Sequence, residues 1–483
     1  MSTVSISPEN ISPERIRQNE LFATLPPEWP YDLLPAIRQQ VQKAGRSLVV
    51  LDDDPTGTQT VYDVPVLTTW TPDALQTQFV AGTPVFYILT NSRSLPLEQA
   101  QALNREIAQN LSLASENADR PFTVVSRSDS TLRGHYPGEV DALLAALGQM
   151  VDAQLIIPYF LEGGRYTIND VHYVAEYVAG ETWLIPASET PFAQDAAFGY
   201  QNSNLRQWVA EKTAETVTAE SVVSLTLEDI REGGPDRITQ QLLTLHNGMV
   251  CVVNAVTLRD LEVVVQAILQ AEDAGQQFLY RTAASFVQVR AGLASKPLLN
   301  LADLALKDQR GGLIVVGSYV PKSTAQLEHL LASEQVIPVE LDVAALLDDI
   351  RQSAMINAVA ERVDQLLAQG ESVVLYTSRQ LITGADGEDS LKIGQRVSSS
   401  LVEVVQSIQT SPAYLIAKGG ITSSDVATQG LGIKQATVLG QVSPGIPVWQ
   451  AGQESRFPQM PYVVFPGNVG GDDTLSRIIS EVL

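Results

Sequence analysis

The chain alternates short, continuously apolar runs with longer segments that carry apolar residues at helical spacing. In its first half, runs of this kind occupy residues 47–51, 84–89, 122–125 and 154–157. Each run ends at a polar or glycine-rich turn, which is typical of a buried parallel strand. The segments 97–114 and 136–147 have the spacing of helices that cover such strands.

A second series of apolar runs occupies residues 313–316, 336–341, 372–376, 413–416 and 462–465. Strand–helix alternation in both halves predicts an α/β protein of two domains, each a mostly parallel sheet flanked by helices. We expect an N-terminal extension, a first domain, a linker and a second domain at residues 1–46, 47–295, 296–311 and 312–483. Ligands of such sheets bind outside the carboxyl ends of the strands, so the residues that follow each run are the candidates for chemistry.

Composition narrows the class of protein. A length of 483 residues exceeds one ordinary core, and 31 basic against 55 acidic residues give a net charge of −24. This charge disfavours nucleic acid as a partner. No apolar run is long enough to cross a membrane and the first 45 residues lack an apolar signal core, so we expect a cytoplasmic protein with no membrane partner. Cys251 is the only cysteine, which excludes disulfides and cysteine-based zinc sites within the chain.

The strongest local signal is the acidic turn Asp52-Asp53-Asp54-Pro55-Thr56-Gly57, which follows the first apolar run. Crowded carboxylates are costly unless cations, hydrogen-bond donors or a metal compensate for them. Such a cluster at a strand end predicts catalytic carboxylates. The alternative is a solvated acidic turn without a function.

Two further strand ends carry arginines. Ser126–His135 offers two guanidinium groups, a carboxylate and several hydroxyls, a set suited to a polyhydroxylated acid. As alternatives, its hydroxyl residues could cap the next helix, and Arg127 could pair with the acidic turn. Pro158–Thr167 adds Arg165 beside the glycine pair Gly163-Gly164, although a surface turn would look the same.

Glycine-rich turns mark the second half. Gly317-Ser318 follows its first run, and Lys322-Ser323-Thr324 nearly matches a P-loop but lacks the glycine before the lysine. Lys418–Asp425 and Pro466–Thr474 each place glycines after a strand and hydroxyl residues before a helix. Exposed backbone N–H groups at such junctions bind phosphate, so these turns predict a nucleotide site. Taken singly, each turn could be structural.

In this order the motifs resemble those of the four-carbon acid sugar kinase family. The resemblance lies in Asp53-Asp54-x-Thr56-Gly57, in Asp129–Gly134, in Pro158 with Gly164-Arg165, in Ser203–Leu205, and in Gly317-Ser318, Gly419–Thr422 and Gly467–Gly471. It implies that the first domain binds a sugar acid, that the second binds ATP with Mg²⁺, and that the active site lies in the cleft between them. It leaves the metal ligands unknown and the oligomeric state open, with a homodimer as one candidate.

The motifs and the resemblance together assign three sets of residues. The catalytic candidates are Asp53 and Asp54, one of which would take the proton of the acceptor hydroxyl. The substrate-binding candidates are Thr56, Gly57, Arg127, Asp129, Ser130, Thr131, Arg133, Gly134, Gly164 and Arg165, with Arg133 and Arg165 on the carboxylate of the acid. The nucleotide-binding candidates are Gly317, Ser318, Gly419, Gly420, Ile421, Thr422, Gly467, Asn468, Gly470 and Gly471.

Two competing functions remain at this point. Asp52-x-Asp54-x-Thr56 also matches the nucleophile motif of haloacid-dehalogenase-type phosphatases, with Asp52 forming an aspartyl phosphate. A non-catalytic sensor of a sugar acid or a nucleotide is the other alternative. It is motivated by the residues after Gly57 and before Gly467, which differ from the usual family pattern.

Overall fold

The computed structural model describes residues 15–148, 150–178, 180–304, 306, 311–379 and 387–481. Parts of the predicted N-terminal extension (1–14) and of the predicted linker (305 and 307–310) lie outside these residues. The chain forms two compact units, and neither is continuous in sequence. The first comprises residues 1–46, 97–109 and 123–294, and the second comprises residues 47–96, 110–122 and 295–483.

The first unit contains a parallel sheet in the order β10-β11-β6-β12-β5 and an antiparallel sheet in the order β1-β9-β8-β7. Strands and helices are numbered along the whole chain. The strands here are β1 (Ile16–Arg17), β5 (Phe122–Arg127), β6 (Ala153–Ile157), β7 (Arg165–Ile168), β8 (Val171–Val178), β9 (Glu181–Pro186), β10 (Val223–Leu225), β11 (Met249–Val253) and β12 (Phe278–Thr282). The helices are α1 (Gln18–Phe22), α2 (Leu34–Ala44), α4 (Leu97–Ala118, in part), α5 (Gly138–Leu147), α6 (Leu205–Lys212), α7 (Gly234–Leu242), α8 (Leu258–Asp273) and α9 (Ala284–Arg290).

The second unit contains strands in the order β2-β4-β3-β17-β18-β19-β16-β13-β15-β14. These are β2 (Ser47–Asp52), β3 (Val64–Leu67), β4 (Val85–Leu89), β13 (Leu313–Val316), β14 (Ile337–Leu341), β15 (Val373–Thr377), β16 (Leu415–Lys418), β17 (Gln435–Ser443), β18 (Ile446–Ala451) and β19 (Pro461–Phe465). Its helices are α3 (Pro72–Val80), α10 (Pro321–Ala332), α11 (Val343–Leu346), α12 (Gln352–Ala368), α13 (Gly387–Ser407), α14 (Gly420–Asp425) and α15 (Thr474–Glu481). The pairs β3–β17, β17–β18 and β18–β19 are antiparallel, and the other pairs are parallel.

The predicted fold class is confirmed: two α/β units with mostly parallel sheets and flanking helices. The central strands are buried along their whole length and mainly apolar, as β2 and β13 illustrate, because helices cover both faces of a parallel sheet. No helix in the described part of the chain combines the length and the apolar character needed to cross a membrane.

Candidate active site

The acidic turn follows β2 directly and belongs to the second unit. Asp54 caps the 3-10 turn Pro55–Thr58, since its Oδ1 accepts hydrogen bonds from the Thr56 N–H (2.9 Å) and hydroxyl (2.5 Å). A methyl group at Gly57 would lie 2.1 Å from Asp52 Oδ2, so only glycine fits against that carboxylate. Asp52 is 1% exposed and Asp53 is 3% exposed, whereas the Asp54 side chain is 20% exposed. The three carboxylates therefore differ in their access to a ligand.

Arg93 supplies a cation to this turn. Its Nη2 lies 2.5 Å from Asp54 Oδ2 and 3.8 Å from Asp53 Oδ1. The arginine comes from the segment that follows β4, the parallel neighbour of β2. Arg93 is not among the residues predicted from the sequence, although its position just after an apolar run is the signal that located the other motifs.

Three glycine-rich turns of the second unit meet one another. A methyl group at Gly317 would lie 2.6 Å from Thr422 Oγ1, and one at Gly419 would lie 3.0 Å from Ser318 Cβ. The Ser323 hydroxyl lies 3.2 Å from both Ser318 Oγ and the Gly467 carbonyl oxygen, within hydrogen-bond distance of each. The turns after β13, β16 and β19 thus pack into one cluster. The glycines allow this close approach because they have no side chains.

The acidic turn reaches the same cluster. A methyl group at Gly420 would lie 2.8 Å from Asp54 Oδ2, closer than Cβ atoms normally approach oxygen. Asp54 and the glycine turns belong to the same compact unit. A carboxylate therefore faces the predicted phosphate-binding backbone at close range.

Two basic residues that are not among the assigned candidates border this cluster. Lys418 is fully buried, and its Nζ donates hydrogen bonds to the carbonyl oxygens of Pro466 (2.5 Å) and Gly467 (3.2 Å). Burial, with a smaller contribution from Lys322, lowers the pKa of Lys418 to about 7. The lysine fixes the Gly467 turn and is poised to change its charge near neutral pH.

Arg379 follows β15 and is the second of these residues. Its Nη2 donates hydrogen bonds to the Ser318 carbonyl oxygen (2.6 Å) and to Thr324 Oγ1 (2.7 Å), and its guanidinium lies over the Tyr319 ring. Among the described residues, no acceptor contacts its buried Nε and Nη1. Burial lowers the pKa of Arg379. Its open N–H groups make it a candidate ligand for an anion beside Ser318.

The remaining nucleotide-binding candidates lie at the edge of the cluster. Gln326 Nε2 donates hydrogen bonds to the carbonyl oxygens of Val469 (3.0 Å) and Gly471 (2.8 Å), which fixes the turn that contains Gly470. Gly470 has a positive φ of 83° that favours glycine. Asn468 and Ile421 are exposed.

In the first unit, Asp129 and Arg133 form one side-chain pair. Arg133 Nε donates a hydrogen bond to Asp129 Oδ2 at 2.8 Å, and the Thr131 hydroxyl contacts the same oxygen. Leu132 and Gly134 have positive φ angles of 69° and 119°, which turn the chain sharply between these residues. The candidate hydroxyls of Ser130 and Thr131 are buried, as is Arg127 at the end of β5.

Two buried side chains hold the backbone of this loop. His172 Nε2 donates to the Ser130 carbonyl oxygen at 2.8 Å, and the hydroxyl of Tyr200 donates to the Thr131 carbonyl oxygen at 2.8 Å. Burial lowers the pKa of His172 to about 4. The imidazole is therefore neutral near pH 7 and acts as a fixed donor.

Arg165 begins β7, and Gly164 before it has a positive φ of 67°. Its Nη1 donates to the Gly163 carbonyl oxygen, while its buried Nε contacts no acceptor among the described residues. Burial lowers the pKa of Arg165, with Asp129 opposing and Arg133 adding to that effect. Two guanidinium groups thus lie near one carboxylate, an environment that suits a bound anion.

Comparison with known proteins identifies the two domains of the chain. A family model described as a sugar-binding N-terminal domain matches residues 48–290, and one described as a nucleotide-binding C-terminal domain matches residues 313–475. A D-erythronate kinase of Heliobacterium modesticaldum is 23% identical over 82% of this chain and 83% of its own length. A 3-oxo-tetronate kinase of Cupriavidus necator is 24% identical over 85% and 90%.

Solved structures of low sequence identity share the fold. A putative tRNA synthase of Salmonella typhimurium superposes with a TM-score of 0.62 at 17% identity and covers 89% of this chain and 98% of its own. A Haemophilus influenzae protein of the DUF1537 family superposes with a TM-score of 0.57 at 17% identity, with the same coverage. On the two domain matches, which together span most of its length, the chain belongs to the four-carbon acid sugar kinase family.

Proposed function

We propose that the chain transfers the γ-phosphoryl group of ATP to a hydroxyl group of a four-carbon sugar acid, a tetronate or a 3-oxo-tetronate. The observation that carries this proposal is the approach of Asp54 to Gly420, which joins a candidate base to a glycine-rich phosphate site. The two kinase relatives act on acids of this class according to their names. Phosphoryl transfer depends mainly on positioning and charge neutralisation, and the residues of the cluster fit that demand.

Asp54 is our candidate for the base that accepts the proton of the acceptor hydroxyl. It is the most exposed of the three carboxylates, and its Oδ2 faces Gly420. Arg93 and Thr56 hold its orientation through contacts to Oδ2 and Oδ1. Asp53, which is buried beside the same arginine, would support that arrangement through its charge.

The nucleotide phosphates would bind to the backbone of the turns at Gly419–Thr422 and Gly467–Gly471. Arg379, with two open N–H groups beside Ser318, would neutralise part of their charge. Among the described residues, no group of three or more His, Cys, Asp or Glu side chains could hold a metal ion. Mg²⁺ is bound in such enzymes by substrate phosphates, waters and one or two carboxylates, and it would neutralise charge on the transferred group.

The acid would bind to the first unit. Arg133 and Arg165 would hold its carboxylate, because both present guanidinium groups near Asp129 and Arg165 retains an open Nε. Asp129 would accept a hydrogen bond from a hydroxyl group of the acid. That the two units together form one active site stays a prediction.

The phosphatase alternative requires Asp52 to attack a phosphate ester. Asp52 is 1% exposed and packs behind Gly57, where even a methyl group would not fit. A nucleophile must reach its substrate at close range. This burial argues for Asp54 rather than Asp52 as the reactive carboxylate.

The test is ADP release from ATP and Mg²⁺ in the presence of four- to six-carbon sugar acids. We expect release that depends on the acid, and a fall in kcat of about 10²–10⁴-fold in Asp54→Asn, in the range of general base catalysis. Asp53→Asn should retain more activity. Asp63→Asn is the matched control. Asp63 is an exposed residue a few positions after the acidic turn, and its positive φ is one that asparagine tolerates.

Three results would contradict the proposal. Hydrolysis of a phosphate monoester without ATP, lost in Asp52→Asn, would favour the phosphatase. Binding of ATP or of an acid without turnover would favour the sensor. Full activity of Asp54→Asn with loss of activity in Asp53→Asn would move the base to Asp53.

A further inference from the structure

The segment Ala187–Tyr200 belongs to no strand or α-helix of the first unit, yet it contacts both candidate carboxylate-binding arginines. It consists of two 3-10 turns, Ala187–Glu189 and Pro191–Gln194, and the residues that follow them. None of the motifs that predicted the site includes this segment. The proposed function assigns no role to its contacts with the two arginines.

Phe192 covers the two guanidinium groups from one side. Its ring centroid lies 5.1 Å from Arg133 Cζ and 5.5 Å from Arg165 Cζ. An aromatic face attracts a cation but accepts no ordinary hydrogen bond. The contact therefore orients both groups without using their N–H donors, and an acid must approach from the sides that the ring leaves open.

Asp195 presents a carboxylate oxygen beside Arg133. Its Oδ1 accepts hydrogen bonds from the N–H groups of Ala197 (2.9 Å) and Phe198 (3.1 Å), which fix its orientation. Its Oδ2 lies 3.6 Å from Arg133 Nη1, beyond hydrogen-bond distance. Asp129 Oδ2, by contrast, accepts a hydrogen bond from Arg133 Nε at 2.8 Å. Oδ2 of Asp195 is thus an acceptor that the arginine does not engage closely.

The segment begins directly after β9 and is anchored again just beyond Asp195. The hydroxyl of Tyr200 donates a hydrogen bond to the Thr131 carbonyl oxygen (2.8 Å), which ties the segment to the Asp129–Arg133 loop, and it also lies 3.3 Å from the Ala187 carbonyl oxygen. Lys212 Nζ donates to the Gly199 carbonyl oxygen at 2.6 Å. Because both ends are held, the position of Asp195 is set by the fold, as selective recognition requires.

We propose that Asp195 determines specificity by accepting a hydrogen bond from the hydroxyl group next to the carboxylate of the acceptor. This inference rests on the proposed function, since it takes Arg133 and Arg165 to bind that carboxylate. In a 2-hydroxy acid, the hydroxyl group and the carboxylate are on adjacent carbons. The hydroxyl would donate to Asp195 Oδ2 while the carboxylate accepts from Arg133 Nη1, and these two protein atoms lie 3.6 Å apart.

The same geometry disfavours related acids. An acid without the 2-hydroxyl leaves Asp195 Oδ2 without its donor, and a 2-oxo acid brings a second acceptor against it. A site that hydrogen-bonds a substrate hydroxyl discriminates strongly against an analogue that lacks it, because a desolvated polar group is left unpaired. The preferred acceptors are therefore acids with a hydroxyl group on the second carbon.

The test compares the dissociation constants of D-erythronate and of 3,4-dihydroxybutanoate, the same chain without its 2-hydroxyl, by calorimetry on the full chain without nucleotide. We expect the wild type to prefer D-erythronate by at least about tenfold. Asp195→Asn should lose most of this preference, because an amide NH₂ can replace the acceptor Oδ2 while Oδ1 still accepts from Ala197 and Phe198. Gln194→Ala, an exposed neighbour, is the matched control and should keep the preference.

Asp195→Ser is the second variant, in case Asp195→Asn is less stable. Its hydroxyl can still accept from the backbone but is too short to reach the acid, so it too should lose the preference. An unchanged preference in the variants, equal binding of the two acids by the wild type, or binding of neither acid would overturn the inference. Failure of the proposed function gives a different result: D-erythronate would bind preferentially, yet no phosphorylated product would form with ATP and Mg²⁺.

Discussion

The candidate anion sites of the two units are built from different groups. In the first unit, Arg133 and Arg165 present charged side chains: Asp129 orients Arg133, and the Phe192 ring contacts both guanidinium groups. In the second unit, three glycine turns present backbone, with charged side chains at their border. A carboxylate is planar and suits the fork of an arginine, whereas a chain of phosphates suits a concave row of N–H groups.

This difference predicts different sensitivity to substitution. Backbone sites fail when any side chain intrudes, so the second unit should be most sensitive at glycines that touch catalytic groups. Side-chain sites fail when a donor changes its shape, even if its charge stays. Substitutions in the first unit should therefore affect the acid alone.

The largest effect is expected for Gly420→Ala in the second unit. The added methyl group would lie 2.8 Å from Asp54 Oδ2, so the carboxylate or the turn must move. Misplacement of a catalytic group by about 1 Å can cost about 10²-fold in rate, and we expect kcat to fall by about that factor. Gly394→Ala is the control, because among the described residues no heavy atom beyond the backbone of its own helix lies within 4 Å of the added methyl group. An unchanged kcat in Gly420→Ala would contradict the proposal that Asp54 acts beside the phosphate site.

The next effect is expected for Arg165→Lys in the first unit. Lysine keeps the positive charge but lacks the planar fork, and charge-assisted hydrogen bonds contribute about 1.5–3 kcal/mol each. We expect the KM of the acid to rise about 10–100-fold while the KM of ATP stays constant. Arg237→Lys, an exposed arginine that is paired with Asp229, is the control. An equal rise in both KM values would contradict a role restricted to the acid.

The smallest effect concerns the stability of the first unit. Burial lowers the pKa of His172 to about 4 from an ordinary value of 6.5, so the unfolded chain binds a proton between these values and the folded chain does not. Stability from His172 is therefore complete above pH 6.5 and is lost as the pH falls towards 4. On unfolding in denaturant, the stability advantage of the wild type over His172→Gln should shrink by about 2 kcal/mol between about pH 7.5 and pH 5. A difference that does not depend on pH would show that the imidazole is not buried in its neutral form.

The sequence predicted the parts of the fold that have a continuous apolar pattern. The central parallel strands, such as β2 and β13, coincide closely with the runs, because burial on both faces favours apolar residues in the middle of a strand. The antiparallel strands β8 and β17 were missed. β17 alternates between buried and partly exposed residues over most of its length, and β8 ends in partly exposed and exposed residues, so no continuous run marks either strand.

The site was predictable where chemistry follows a strand in the sequence. Asp54, Arg165 and the glycine turns were found in this way, and their functional roles stay predictions. Arg93 and Arg379 also follow strands and could have been found by the same rule. Phe192 and Asp195 could not, because their segment approaches the arginines only through the tertiary structure, held by Tyr200 and Lys212.

The measurement that tests the central claim most directly is ³¹P NMR of the wild type with ATP, Mg²⁺ and D-erythronate, beside Asp54→Asn and the control Asp63→Asn. The proposed function predicts a new phosphate monoester resonance from the acid, formed in step with ADP by the wild type and by Asp63→Asn and strongly reduced in Asp54→Asn. ADP and inorganic phosphate without a monoester, with D-erythronate or any other four-carbon sugar acid, would contradict it.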